Sequence, residues 1–254
     1  MVGGAEGVSE SLPEAMGIPV GFVDGDSEIL AVQGFQVRTW TLRGGLREGP
    51  VLEHGEGDLA PVQWALVGRE GSGLAGAGPG WVTVWDRLSG RVSQSFQAPG
   101  MVPWGLRATG DGRWLAVVAG ERGIWLGDLK RGREVWVTGH RDMVKDVAFS
   151  ADSTRFATAS VDATIKVWSL PEVREIGMLR GHMTEVTAVS FSPDGVTLGS
   201  SELGHGLRFW HLPTLREVAL IPMVNVGEWI AFSPDGRSLG VRLEGCEVRL
   251  LRAP

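Results

Sequence analysis

This chain of 254 residues contains one cysteine, no tyrosine, one asparagine and only three lysines. Each scarcity excludes something. A single thiol, Cys246, cannot build an intrachain disulfide framework, and the residue reads as a small side chain buried in a strand. No apolar run reaches the 18 or more residues that a membrane-spanning helix needs. The first ten residues carry neither a positive charge nor an apolar core, so no secretory signal is expected and a cytoplasmic home is. Lys130, Lys145 and Lys166 stand against an otherwise all-arginine complement. Scarce Lys, Asn and Tyr are scarce AT-rich codons, which hints at a GC-rich, bacterial genome. The net charge of −6 is spread along the chain, with no basic stripe of the kind that a duplex nucleic acid requires.

What is present is repetition. Residues Gly139–Arg180 read as four short strands divided by polar turns: Val144–Phe149, Phe156–Ser160, Ile165–Trp168 and Glu175–Leu179. Period-two apolar runs with breaks at this spacing argue for an antiparallel meander. A lone meander of this size has an apolar face on each side and can bury neither, so it needs copies of itself as neighbours. The copies follow. Aligned on the third strand, Trp40, Trp85, Gly127, Trp168, Trp210 and Leu251 share one register, at intervals of 45, 42, 41, 42 and 41 residues. That is the roughly 40–45 residue period of a propeller blade.

The residues that carry the period also carry a resemblance. The GH at Gly139–His140, the D-x-T-I-x-V-W of Asp162–Trp168, the FSPDG at Phe191–Gly195 and Phe232–Gly236, and the Trp85–Asp86 dipeptide resemble the WD-repeat family. The resemblance covers nearly the whole chain and is strongest in Gly139–Trp210. It implies an all-β fold: a β-propeller of six four-stranded blades forming one domain over residues 1–254. Gly-rich composition (38 Gly) suits its many tight turns.

The ends are expected to complete one another. Shifted by 84 residues, Val8–Phe22 lies without gaps on Val92–Leu106, matching Val8/Val92, Ser9/Ser93, Ser11/Ser95, Pro19/Pro103 and Gly21/Gly105. Val92–Phe96 reads as a fourth strand, so Val8–Leu12 should be one too. Trp229–Leu251 holds three strands and lacks a fourth. An N-terminal strand that completes the C-terminal blade would leave no open sheet edge.

The chemistry reads mostly as structure. The resemblance implies a hydrogen-bonded tetrad in blade four: His140, Ser160, Asp162 and Trp168. His, Ser and Asp also spell a hydrolase triad, but they share one blade and lack a nucleophile elbow. In blade five, Gly204 stands at the Asp register, so that network is expected to be incomplete. Gly71–Gly76 (GSGLAG) matches the glycine pattern of a dinucleotide site, yet lies between two strands rather than between strand and helix. His54, His140, His182, His205 and His211 show no zinc spacing, so no metal and no cofactor are expected. The loop over residues 43–57 reads as the longest and most polar, and Trp125 as turned to the other strand face from Gly127.

By resemblance the chain is a non-catalytic scaffold, a monomer that binds a protein or peptide partner and neither nucleic acid nor membrane. The alternatives are a propeller enzyme with a metal in its channel, or the detached regulatory propeller of a larger signalling protein. Residues flanking the first apolar position of each inner strand are expected to touch the partner: Met16 and Ile18, Val102 and Trp104, Met143 and Lys145, Glu185 and Thr187, Val226 and Glu228. Met16, Val102, Trp104 and Met143 are expected to be exposed.

Overall fold

The computed structural model describes residues 18–23, 28–41, 45–53, 61–68, 71–224, 226–243 and 247–252. Twenty-three strands form six antiparallel sheets, each a meander in chain order. The first holds β1 (Ile18–Val23), β2 (Glu28–Gln33), β3 (Gln36–Thr41) and β4 (Gly45–Val51). The second holds β5 (Gln63–Val67), β6 (Gly73–Gly78), β7 (Trp81–Asp86) and β8 (Val92–Gln97). The third holds β9 (Gly105–Ala108), β10 (Trp114–Val118), β11 (Ile124–Asp128) and β12 (Arg133–Val137). The fourth holds β13 (Val144–Phe149), β14 (Arg155–Ser160), β15 (Thr164–Ser169) and β16 (Arg174–Arg180). The fifth holds β17 (Val186–Phe191), β18 (Thr197–Glu202), β19 (Gly206–His211) and β20 (Arg216–Ile221). The sixth has β21 (Val226–Phe232), β22 (Ser238–Leu243) and β23 (Val248–Arg252), and no fourth strand among the described residues. Val8–Leu12, expected to supply it, lies outside the described residues.

The period in the sequence is a register in space. Trp40, Trp85, Gly127, Trp168, Trp210 and Leu251 each pair with the second residue of the preceding strand: Ile29, Leu74, Leu115, Phe156, Leu198 and Leu239. Two readings change. Part of the expected loop over residues 43–57 is β4, which pairs with β3 despite its polar sequence because an outermost strand buries little. Trp125 shares a face with Gly127, as residues two apart in a strand must. Its ring lies over that glycine, where a Cβ would come within 2.7 Å. A tryptophan two residues earlier thus fills the space of the missing one.

Sheets two to five are packed with apolar side chains on both faces. In β10, Leu115 and Val117 pack with Ala75, Val82 and Leu106 toward the second sheet, while Trp114, Ala116 and Val118 pack with Phe156 and Trp168 toward the fourth. Ala157, Ile165 and Val167 join Val189, Leu198 and Trp210, and Leu207 joins Ile230 and Val241. Leu30 and Val37 join Leu74 and Trp85. Five apolar clusters therefore bind the five successive pairs of sheets. The middle strands of sheets two to five alternate their side chains between two of them, which is why they read as continuous apolar runs. The first strands lie side by side, β1 on β5, β5 on β9, β9 on β13, β13 on β17 and β17 on β21. Among the described residues the architecture is that of a β-propeller, with six sheets in blade order.

The turns between first and second strands of blades three to six are built alike. Thr109, Ser150, Ser192 and Ser233 donate to Asp111, Asp152, Asp194 and Asp235 at 2.5–2.6 Å, and each carboxylate accepts the N–H two residues on at 3.0 Å. These turns form one face of the molecule. The loops leading into the first strands and the turns between second and third strands form the other, because the antiparallel pairing puts Val144 opposite Ser160 and Val186 opposite Glu202.

Candidate docking face and the networks that hold it

The loop-bearing face rests on two polar networks. In blade four, His140 Nδ1 lies 3.0 Å from Asp162 Oδ2 and Nε2 lies 2.8 Å from Thr158 Oγ1. Trp168 Nε1 donates to the same hydroxyl at 3.0 Å. A carboxylate only accepts, so Nδ1 carries the proton and Nε2 accepts from Thr158. Thr158 therefore takes the place expected of Ser160. Both side chains point to the same face of β14, but Ser160 stands two residues nearer the turn, where it donates to Asp142 O at 3.2 Å and accepts from Asp162 N–H at 3.1 Å. Burial holds His140 neutral by lowering its pKa against the pull of Asp162. Burial alone would raise the Asp162 pKa, but donors from Thr164, Arg141 N–H and His140 bring it down to about 2.

Blade five solves the same problem differently. His182 Nε2 meets Ser200 Oγ at 3.0 Å, and Trp210 Nε1 donates to that oxygen at 2.9 Å. With Gly204 at the Asp register, the buried His182 Nδ1 has no hydrogen-bond partner. The missing carboxylate arrives on Glu202, at the register of Ser160. It accepts the N–H groups of Met183 and Thr184, the latter at 2.9 Å, and is held by Arg208 Nε at 2.8 Å. Arg208 also reaches Glu217 at 2.6 Å. Burial lowers the His182 pKa to about 4; Glu202 opposes the shift, Arg208 reinforces it and the Ala163 carbonyl adds a small upward pull. Both networks end on the backbone of a loop: Asp162 on Arg141 N–H at 2.9 Å, Glu202 on Met183 and Thr184. Each pins the segment that delivers the following inner strand to the face.

The networks are absent from blade two, where Trp85 Nε1 donates to the Glu53 carbonyl at 2.6 Å. Gly76 occupies the hydroxyl position, with Pro61 and the Trp85 ring pressed against it.

The inner strands are bulged where they reach this face, at Pro19/Gly21, Val144/Asp146, Val186/Ala188 and Val226/Ile230. A bulge re-aims a side chain, and Lys145, Thr187 and Glu228 sit on three of them. Lys145 reaches across blade five to Glu228 at 3.2 Å and lies 5.9 Å above the Trp104 ring of blade three. Trp104 is half exposed, with its ring resting on Gly120. Blades three, four and six thus meet through one cation. Next to it, Asp146 accepts Val189 N–H at 3.1 Å and faces Arg107 at 3.4 Å, joining blades three, four and five.

The other expected contact residues divide. Val102 is exposed and Glu185 partly so. Met143, expected to be exposed, is half-buried. Thr187 and Val226, 2% and 1% exposed, are core: the Thr187 hydroxyl meets Ser201 Oγ at 2.8 Å, and Val226 packs among Leu207 and Ile230. The bulge turns Thr187 inward, not outward. Met16 and the side chain of Ile18 lie outside the described residues. Sequence reading missed Val62, Met183, Leu203 and Val224, which are exposed on the same face. Their signal was available: Met183 follows the GH of blade five, and Val62 and Val224 stand just before inner strands. Among loop and turn residues, the opposite face exposes only Leu88, Val196 and Leu215 as large apolar groups within the described set.

Among the described residues, no three His, Cys, Asp or Glu side chains group as metal ligands, and no helix is long and apolar enough to cross a membrane. A family model described as "WD domain, G-beta repeat" matches residues 132–169 and 173–211, the two blades with histidine networks. The chain is 33% identical over 92 residues to the "Target of rapamycin complex subunit LST8" of Saccharomyces cerevisiae (strain ATCC 204508 / S288c). That match spans 35% of this chain and 30% of the yeast protein. Six sheets at the blade period, with two matched WD repeats in their midst, support a WD-repeat propeller.

Proposed function

We propose that the chain is a non-catalytic scaffold that takes a protein or peptide partner on its loop-bearing face, as one domain and a monomer in the cytoplasm. The general class rests on the WD repeats and on similarity to a protein named as a complex subunit. The face rests on one observation: Trp104, Lys145 and Glu228, drawn from three blades, converge where the inner strands bulge. Six large exposed apolar loop and turn residues, Val62, Val102, Trp104, Met183, Leu203 and Val224, lie on this face against three on the opposite one within the described set. Tryptophan is enriched among binding hot spots, and methionine adapts to irregular partners.

Affinity capture from the source lysate tests the reading. Trp104→Ala with Met143→Ala should abolish partner recovery while the variant keeps the wild-type melting curve. Leu88→Ser with Arg237→Ala, on the opposite turns, should leave recovery intact. Retention by the first variant and loss by the second would put the binding face on the other side.

A further inference from the structure

We infer that residues 8–12 pair along the free edge of β23 in one fixed register, and so clasp the sixth sheet to the first. The inference does not depend on the docking face. It starts from a bare surface. Leu250 and Val248 lie opposite Gly240 and Arg242, at the register where Val167 and Ile165 lie opposite Ala157 and Ala159. Val167 and Ile165 are at most 2% exposed, because the fifth sheet covers them; Val84 and Val82, at the same register of the second sheet, are at most 5% exposed under the third. Val248 is 58% and Leu250 64% exposed. The partly exposed Trp229 ring lies against Gly240 on the same side. The other side of this sheet is closed, with Leu239 and Val241 packed on Leu207. Among the described residues no apolar cluster joins the sixth sheet to the first.

The chain carries a strand that fits this edge. Residues 8–22 match residues 92–106 without a gap, and the structure shows what the second copy of that pattern does. Val92–Gln97 is β8, the outermost strand of its sheet, and seven residues later β9 begins the next sheet. In β8, Val92 pairs with Trp85, Gln94 with Val84, Ser95 with Thr83 and Phe96 with Val82. Carried over by the 84-residue shift, Val8 falls opposite Leu251, Glu10 opposite Leu250, Ser11 opposite Arg249 and Leu12 opposite Val248. Leu12 then lies beside Val248 as Phe96 lies beside Val82. Charge agrees: β23 exposes Arg249 and Arg252, while residues 1–17 hold Glu6, Glu10 and Glu14 and no basic residue. Residues 13–17 reach about 20 Å when extended. A strand paired on β23 therefore draws β1, which starts at Ile18, toward the bare side of the sixth sheet. It also removes an unpaired edge of the kind that templates association.

Disulfide trapping in the full chain tests the register, in a Cys246→Ser background. Leu12→Cys with Val248→Cys should close an intrachain crosslink under mild oxidation. Leu12→Cys with Leu250→Cys, one pair out of register and about 7–8 Å apart, should not. Crosslinks between two molecules would assign the edge to a second copy and overturn the clasp, as would crosslinking of the offset pair instead. Where the double-cysteine variants fail to fold, amide exchange on the wild type and Ser11→Pro decides. A proline in a paired strand removes a ladder hydrogen bond, so exchange in residues 248–252 should rise roughly tenfold or more. A proline in a segment that pairs with nothing would leave the exchange pattern and the melting curve as in the wild type, and that result would overturn the inference.

Discussion

Blades four and five are the two best repeats in the chain, and they build the same joint from different parts. Both join a histidine and a strand-three tryptophan through one strand-two hydroxyl, Thr158 under Trp168 and Ser200 under Trp210. Both then tie a carboxylate to the preceding loop. In blade four that carboxylate also takes the imidazole proton, and the network closes on itself. In blade five it sits two residues earlier, on Glu202, and needs Arg208 to offset its burial. The turns differ to match: the left-handed residue is Ala163, third of its turn, in blade four, and Gly204, second of its turn, in blade five. What the two share is the anchored loop, so loop anchoring is the function of the network and the His–Asp pair is one way to reach it.

The largest effects come from the shared part. Trp168→Ala and Trp210→Ala each remove a buried ring and should cost about 3–5 kcal/mol, read as a fall in urea midpoint at constant m. Trp85→Ala, which blade two's missing network would make milder, should cost about as much: Trp85 is 1% exposed and its N–H is also satisfied. A loss below about 2 kcal/mol at Trp210 would show that blade five is not held by this joint.

Next come the parts that differ. Arg208→Met strands the buried Glu202 and should cost about 3 kcal/mol, because an uncompensated buried charge is expensive. Lys166→Met, at the same register in blade four, relieves only a pair to the partly exposed Glu175 and should cost less than about 1 kcal/mol. Equal losses would mean that the two cations do equivalent work.

Acid should separate the blades as well. The His182 pKa is about 4 when folded and 6.5 when free, so the unfolded chain binds more protons between those values. Stability is then full above pH 6.5 and declines as pH falls toward 4, by on the order of 2–3 kcal/mol for a shift of this size. His140 is also lowered and contributes in the same sense. His182→Gln should flatten the decline between pH 6.5 and 4 more than His140→Gln does, measured by urea midpoints across that range.

The smallest effect decides between two hydroxyls. Thr158→Val leaves His140 and Trp168 without a shared partner and should cost about 2 kcal/mol, whereas Ser160→Ala should cost about 1 kcal/mol. The reverse order would return Ser160 to the tetrad.

The comparison also shows what a sequence displays and what it hides. The third-strand register was legible over all six blades, because apolar alternation recurs in each and a bulky residue marks the position in five, with Trp125 covering Gly127 in the third. Thr158 and Ser160 were not distinguishable, since both are small hydroxyls on one strand face and only the depth of the histidine chooses between them. Glu202 was hidden because its carboxylate reaches the loop from another register position. β4 was hidden because its sequence, GLREGPV, reads as loop. On the candidate face, Val102, Trp104 and Lys145 were legible from their offset to the first apolar residue. Thr187 and Val226 share that offset, and local bulge geometry turns them into the core.

Hydrogen–deuterium exchange on the chain with and without its captured partner tests the docking face most directly. Binding there should protect amides in residues 100–107, 138–146 and 181–187 and leave residues 109–113, 150–154, 192–196 and 233–237 unchanged. Protection confined to the latter four turns, with residues 100–107 and 138–146 exchanging as in the free chain, would contradict it.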